Sequence, residues 1–226
     1  SYRKAIELNP DYAIAHSNLG GVLRDIGNLK EAEIYTRKAI ELNPDIEDAH
    51  SNLGVILHDL DNLNEAEISL RRAIKLNPKY SVAYTNLGDL LFNLGKSKEA
   101  FDLYLKGIEI DPTLSNVYPK ISKFLEDADL TKLNNSKLKD ILNLLLERND
   151  VSHKELFNAF KFLYRDELIT NLEKLDSDFS GLNLIINNKV IINALRKIIF
   201  CDFKLEATLT KTRKNLCDRI AKNIDN

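Results

Sequence analysis

Methionine and tryptophan are both missing from this 226-residue chain, which has two cysteines, five prolines and eight glycines. Cys201 and Cys217 stand sixteen positions apart with no Cys-x-x-Cys. Two lone thiols make no disulfide framework and suit a reducing compartment. No apolar run approaches the ~18 residues of a membrane span, and no signal-peptide pattern opens the chain. An excess of one charge is lacking as well: 32 Lys and Arg stand against 34 Asp and Glu, a net charge of −2. No global field therefore draws the chain to nucleic acid or to an acidic membrane. Residues 1–112 carry −5 and residues 113–226 carry +3, an asymmetry too small to specify a partner. The hydrophobic fraction of 44% and charged fraction of 29% are those of an ordinary globular protein. The length suits one large domain or two smaller ones.

Motifs of catalysis are scarce. Seven of the eight glycines precede residue 112, leaving Gly181 alone after it, and no Gly-x-Gly-x-x-Gly or P-loop can be drawn. There is no Gly-x-Ser-x-Gly elbow and no Cys/His pair with nucleophile spacing. The four histidines form no His-x-x-x-His or His/Cys cluster of the kind zinc requires. "DSDFSGLNLIIN" (176–187) begins like a calcium loop, with Asp176, Asp178, Ser180 and Gly181 in register. Its last position is Asn187 where a bidentate Glu is needed, so a turn is expected there and no metal site. "KTRK" (211–214) reads as the wet face of an amphipathic helix. No catalytic residue, cofactor or metal is expected.

What is present is a repeat. Asn9-Pro10, Asn43-Pro44, Asn77-Pro78 and Asp111-Pro112 recur every 34 residues. The units are "AIAHSNLGGVLRDIGNLKEAEIYTRKAIELNP", "EDAHSNLGVILHDLDNLNEAEISLRRAIKLNP" and "SVAYTNLGDLLFNLGKSKEAFDLYLKGIEIDP". Leu19, Leu53 and Leu87 with Leu23, Leu57 and Leu91 make an apolar stripe at helical spacing. Gly20, Gly54 and Gly88 give the second helix room to approach, with Ala32, Ala66 and Ala100 facing them. Gly27 and Gly95 fall where the first helix must end with φ > 0; Asp61 replaces them in the middle unit and tolerates that region better than most residues. Ala39, Ala73 and Gly107 are expected to pack on the next unit. Each Pro stops the second helix. His16, His50 and Tyr84 read as rings packed between helices.

These positions resemble the tetratricopeptide family of helix–turn–helix repeats. The resemblance implies an all-α superhelix, an alpha solenoid stabilised by stacking. The expected array spans 1–128, as a leading half repeat, full repeats at 13–46, 47–80 and 81–114, and a degenerate unit. In that last unit Lys120 replaces Asn and Ser122 replaces Gly, so its helix is expected to cap the array with a polar outer side. Ser1–Pro10 reads as the end of an earlier repeat and the chain as a fragment of a longer protein.

Residues 129–226 lose the period but keep helical stripes, at Leu138, Ile141, Leu142, Leu145 and Leu146 and at Leu156, Phe157, Phe160 and Leu163. Ser152 and Glu155 make a capping box for the second of these. Val190, Ile191 and Ile192 sit in helical spacing. This irregular helical extension resembles the region that precedes S-adenosylmethionine-dependent methyltransferase domains in bacterial tetratricopeptide proteins, although no cofactor-binding glycines are present.

The family implies a concave groove lined by first helices that accepts an extended peptide or a partner helix. Asn18, Asn52 and Asn86, each offering a donor and an acceptor, form a ladder there. The same ladder position serves binding in the repeats of O-linked N-acetylglucosamine transferases, which these units also resemble. Neighbouring groove candidates are Ser17, Ser51, Thr85, Arg24, Asp25, His58, Asp59, Asp89, Phe92 and Asn93. Only Arg24 among them is basic, which disfavours capture of acidic tails. Three functions are thus open: a cytoplasmic protein- or peptide-binding module, the substrate-presenting part of a methyltransferase or glycosyltransferase, and a structural scaffold.

Overall fold

The computed structural model describes residues 2–175, 188–197 and 206–214, and every regular element among them is helical. The chain divides into two compact units, 1–117 and 118–226. In the first, α1 (Tyr2–Leu8) is followed by the pairs α2 (Ala13–Asp25) and α3 (Leu29–Leu42), α4 (Glu47–Asp59) and α5 (Leu63–Leu76), and α6 (Ser81–Asn93) and α7 (Ser97–Ile110).

Each first helix ends in the same way. Gly27, Asp61 and Gly95 adopt φ of 81°, 62° and 73°. Their N–H groups donate to Arg24, His58 and Phe92, and the next N–H reaches back to Leu23, Leu57 and Leu91. This is the Schellman arrangement, which satisfies the last carbonyls of the helix. The second helices end on Asn43, Asn77 and Asp111 in extended conformation, as a residue before proline must be. The side-chain oxygen of each accepts from the N–H two residues on, at 3.0, 3.0 and 2.9 Å.

Close approach of the paired helices rests on the glycines, with a different neighbour from the one expected. A Cβ on Gly20 would stand 2.0 Å from Thr36 Oγ1; on Gly54, 2.5 Å from Leu70 Cγ; on Gly88, 2.9 Å from the Tyr104 ring. The side chain filling the gap is thus four residues beyond the conserved-looking alanine, whose own contribution at Ala32 and Ala66 is the backbone carbonyl. Gly107 also differs from expectation. It lies against Thr85 and Ser81 of its own repeat's first helix. Stacking follows the stripe: Leu19 and Leu23 of α2 bury with Ala32 of α3 and Ile56 of α4, flanked by Ile6, Tyr35 and Leu60.

The second unit contains nearly all of α8 (Val117–Asp127), then α9 (Asn135–Glu147), α10 (Phe157–Leu175) and α11 (Lys189–Lys197), with short 3-10 turns at Leu130–Lys132 and His153–Leu156. The compact units therefore divide ahead of the expected boundary at 128/129. Polar contacts tie α8 forward: Ser122 Oγ donates to Glu155 Oε2 at 2.6 Å, and Asn158 Nδ2 donates to the Glu126 carbonyl at 2.8 Å. The Arg148 guanidinium lies 3.6 Å from the centre of the Tyr118 ring. Tyr118, Ile121, Ser122, Phe124 and Leu125 are all buried, while Lys120, Lys123, Glu126 and Asp127 of α8 are not.

The capping box at Ser152 does not form. That side chain makes no cap hydrogen bond, and the Glu155 carboxylate is taken by Ser122. The turn is 3-10, and the α-helix starts at Phe157. Leu138, Ile141, Leu142, Leu145 and Leu146 form the buried face of α9 as expected, and Val190 to Ile192 are helical. In 206–214, Leu209 and Thr212 are buried while Lys211, Arg213 and Lys214 are exposed. Cys201, Cys217 and the loop 176–187 lie outside the described residues.

Candidate functional site

Four side-chain bonds set the geometry of the first-helix face. Asn52 Nδ2 donates to Ser17 Oγ at 3.2 Å and Asn86 Nδ2 to Ser51 Oγ at 3.3 Å. Arg24 Nε donates to Asp59 Oδ2 at 2.8 Å, and Asn93 Nδ2 to His58 Nε2 at 2.7 Å. All four join residues 35 positions apart. The offset is the repeat period plus one, so the first helices run parallel and each is shifted one residue against its predecessor.

This seam corrects part of the expected groove. Ser17, Ser51 and Thr85 are 2%, 1% and 2% exposed and do not line an open surface. The two serine hydroxyls accept from the asparagine of the following repeat, and Thr85 Oγ1 donates to the Val82 carbonyl. Asn18, Asn52 and Asn86 are half-buried. A carboxamide offers two N–H donors and one carbonyl. Asn52 and Asn86 each give one N–H to serine and keep the other with the oxygen. A partner at the same 35-residue offset from Asn18 would precede residue 1. Beside Asn18, a Cβ on Gly21 would meet only Asn52 Nδ2, at 3.8 Å.

The charged candidates are partly committed. Arg24 lies between Asp59 and Asp25, the latter at 3.6 Å. The Tyr104 hydroxyl donates to Asp89 Oδ1 at 2.7 Å; burial, and then the Asp89 charge, push that hydroxyl far above the ordinary phenol range, so it stays a donor. Phe92 is half-buried, while Asp25, Asp59 and Asn93 are exposed.

Several partners were not read from the sequence. His16, His50 and Tyr84 do more than pack: each donates to the carbonyl of the proline six residues earlier, at 2.8, 2.9 and 3.1 Å. The constant spacing from Pro10, Pro44 and Pro78 was the available signal. Asn77 Nδ2 donates to Glu47 Oε1 at 2.9 Å, and this bond is the chief reason the Glu47 carboxyl lies below its ordinary range. Burial, then the neighbouring Asp48 carboxylate, raises the Tyr80 hydroxyl well above the phenol range. Nothing in local pattern links residues thirty apart. Among the described residues no three His, Cys, Asp or Glu side chains are grouped as metal ligands, and no helix is long and apolar enough to cross a membrane.

Comparison with known proteins agrees with the helical-repeat fold. A family model described as tetratricopeptide repeat matches residues 13–46 and 47–80, and a second of the same description matches 69–102. A search of curated proteins found no match. The crystal structure of MamA is 27% identical, with 65% of this chain and 84% of that chain covered at a TM-score of 0.53. YrrB, described as a TPR protein with an unusual peptide-binding site, is 19% identical over 87% of this chain and 98% of its own, at a TM-score of 0.59. A mutant O-GlcNAc transferase of Thermobaculum terrenum is 19% identical over 60% of this chain and 26% of its own, at 0.53.

Proposed function

Residues 13–102 are tetratricopeptide repeats, and on that premise we propose that the chain is a protein-interaction module whose first-helix face binds an extended peptide or a partner helix. The observation supporting this reading is the row of half-buried carboxamides Asn18, Asn52 and Asn86, of which Asn52 and Asn86 each give one N–H to a serine of the preceding repeat and make no other side-chain hydrogen bond among the described residues. A peptide backbone supplies alternating N–H and C=O groups, which a row of carboxamides matches one residue at a time. Asn18, Asn52 and Asn86 are the contacts, with Arg24, Asp25, His58, Asp59, Phe92 and Asn93 beside them. Ser17 and Ser51 orient Asn52 and Asn86 from behind. Asp89, held by Tyr104, contributes its charge.

The test separates binding from scaffolding. Asn52→Ala and Asn86→Ala each remove an inter-repeat hydrogen bond and should cost about 1 kcal/mol of stability. Asn18→Ala removes none, so it should leave the melting temperature unchanged. A random dodecapeptide library displayed on phage is selected on the full chain, and a recovered peptide is labelled for fluorescence anisotropy. Asn18→Ala is expected to weaken that peptide about tenfold, near 1.4 kcal/mol. Unchanged affinity in Asn18→Ala, with destabilisation only in the other two variants, would leave the row a packing device.

A further inference from the structure

We propose that the occupant of the first-helix face is a polyproline II segment, an extended left-handed polypeptide that meets the row of asparagines once in every three residues. This rests on the reading of that face as a binding groove and specifies the conformation and chemistry of its partner.

The row has a constant step. Asn52–Ser17 and Asp59–Arg24 join α4 to α2, and Asn86–Ser51 and Asn93–His58 join α6 to α4 at the same positions. Both seams keep one register at both of their bonds, so α2, α4 and α6 follow one another by the same displacement. In each seam Cα atoms of the two helices approach within 8 Å. Helices packed in direct contact have axes about 8–10 Å apart, and successive asparagines stand one such step from each other.

A ligand backbone must repeat on that scale with the same side turned to the row. An α-helix does not offer its backbone, because its N–H and C=O groups bond within the helix. A β-strand rises about 3.3 Å per residue and turns alternate residues to opposite sides. Its same-facing residues are therefore about 6.6 Å apart, short of the step, and its third residue, at about 10 Å, faces away. Polyproline II has three residues per turn, so residues i, i+3 and i+6 share a side at intervals of about 9.3 Å. It makes no internal hydrogen bonds, which leaves its N–H and C=O groups able to pair. Asn52 and Asn86 match that need: beyond the N–H given to serine, each carboxamide has a second N–H and an oxygen. The oxygen takes the N–H of every third residue. The two residues between contacts need no N–H, and proline suits them because its ring sets φ at about −65°.

The experiment uses the full chain and the same displayed dodecapeptide library. A recovered peptide is resynthesised with one backbone N–H at a time replaced by N-methyl, a change that removes a donor and leaves the polyproline II backbone allowed. Fluorescence anisotropy is expected to show Kd raised about fivefold at three positions spaced i, i+3 and i+6, and by less than about twofold elsewhere. With Asn18→Ala, one of the two outer positions should lose its sensitivity. Losses at every second residue would place a β-strand in the groove and overturn the proposal. No loss at any nitrogen would mean that side chains alone are read, and would overturn it as well. In both cases a peptide still weakened by Asn18→Ala leaves the groove standing. No enrichment of any peptide over an unrelated control protein would remove both readings.

Discussion

Glu47 shows how one side chain links two loops. It lies in the first turn of α4, and its carboxylate accepts from Asn77 at the end of α5. That bond, the largest of its influences, holds the carboxyl below its ordinary value of 4.5. A carboxyl whose folded-state pKa is depressed contributes stability that is complete above its unfolded pKa and is lost as pH falls through the lower, folded one. The window therefore lies in acid, below about 4.5. Asn77→Ala should move the Glu47 titration back up toward the ordinary carboxylate range, followed by NMR of its side-chain carboxyl. An unchanged midpoint would mean that Asn77 does not hold the charge.

At the scale of the element, two adjacent glycines of α2 make opposite demands. A Cβ at Gly20 would overlap Thr36 Oγ1 at 2.0 Å and press on the Ala32 carbonyl at 3.1 Å. Gly20→Ala should force α2 and α3 apart at a cost of about 1–3 kcal/mol. Gly21 has only the tip of Asn52 within reach, at 3.8 Å, and sits inside a helix where Ala is preferred. Gly21→Ala should stabilise by about 0.5–1 kcal/mol. Thermal melts followed by circular dichroism rank the two, and a loss of stability in both would mean that the Gly21 side of α2 is not open. The paired positions also explain the mixed sizes of Thr36, Leu70 and Tyr104. Each fills the space its glycine leaves, so the helix pairs match by neighbour and not by one fixed residue.

For the whole molecule, division into units 1–117 and 118–226 predicts unfolding that is not two-state. Repeats contribute through nearest-neighbour contacts, and the second unit has a core of its own built on Leu142, Leu145, Phe160 and Ile191. Scanning calorimetry of the full chain should give a calorimetric enthalpy larger than the van't Hoff value. Equality of the two would show that both units melt together. The second unit was also the harder one to anticipate. Ser152 and Glu155 satisfy the local rule for a capping box, but Ser122, thirty-three residues from Glu155, competes for the same carboxylate and wins.

The repeat, its 34-residue period, the stripe of leucines, the left-handed position of Asp61 and the all-helical character follow from the sequence, because each is set by interactions within one repeat. Helical spacing, proline geometry and φ preference act over a few residues and recur in register. Tertiary structure alone decided what each repeat presents outward. Ile56, on the stripe of its own repeat, is fully buried against Leu19 and Leu23 of the repeat before it. Ser51 and Asn52 are neighbours in the second "AHSNLG", yet the serine is buried and the asparagine is half-buried with one N–H given to Ser17. The one-residue shift between parallel first helices makes that difference. Only the stacked array shows it, because the contacts join residues 35 apart.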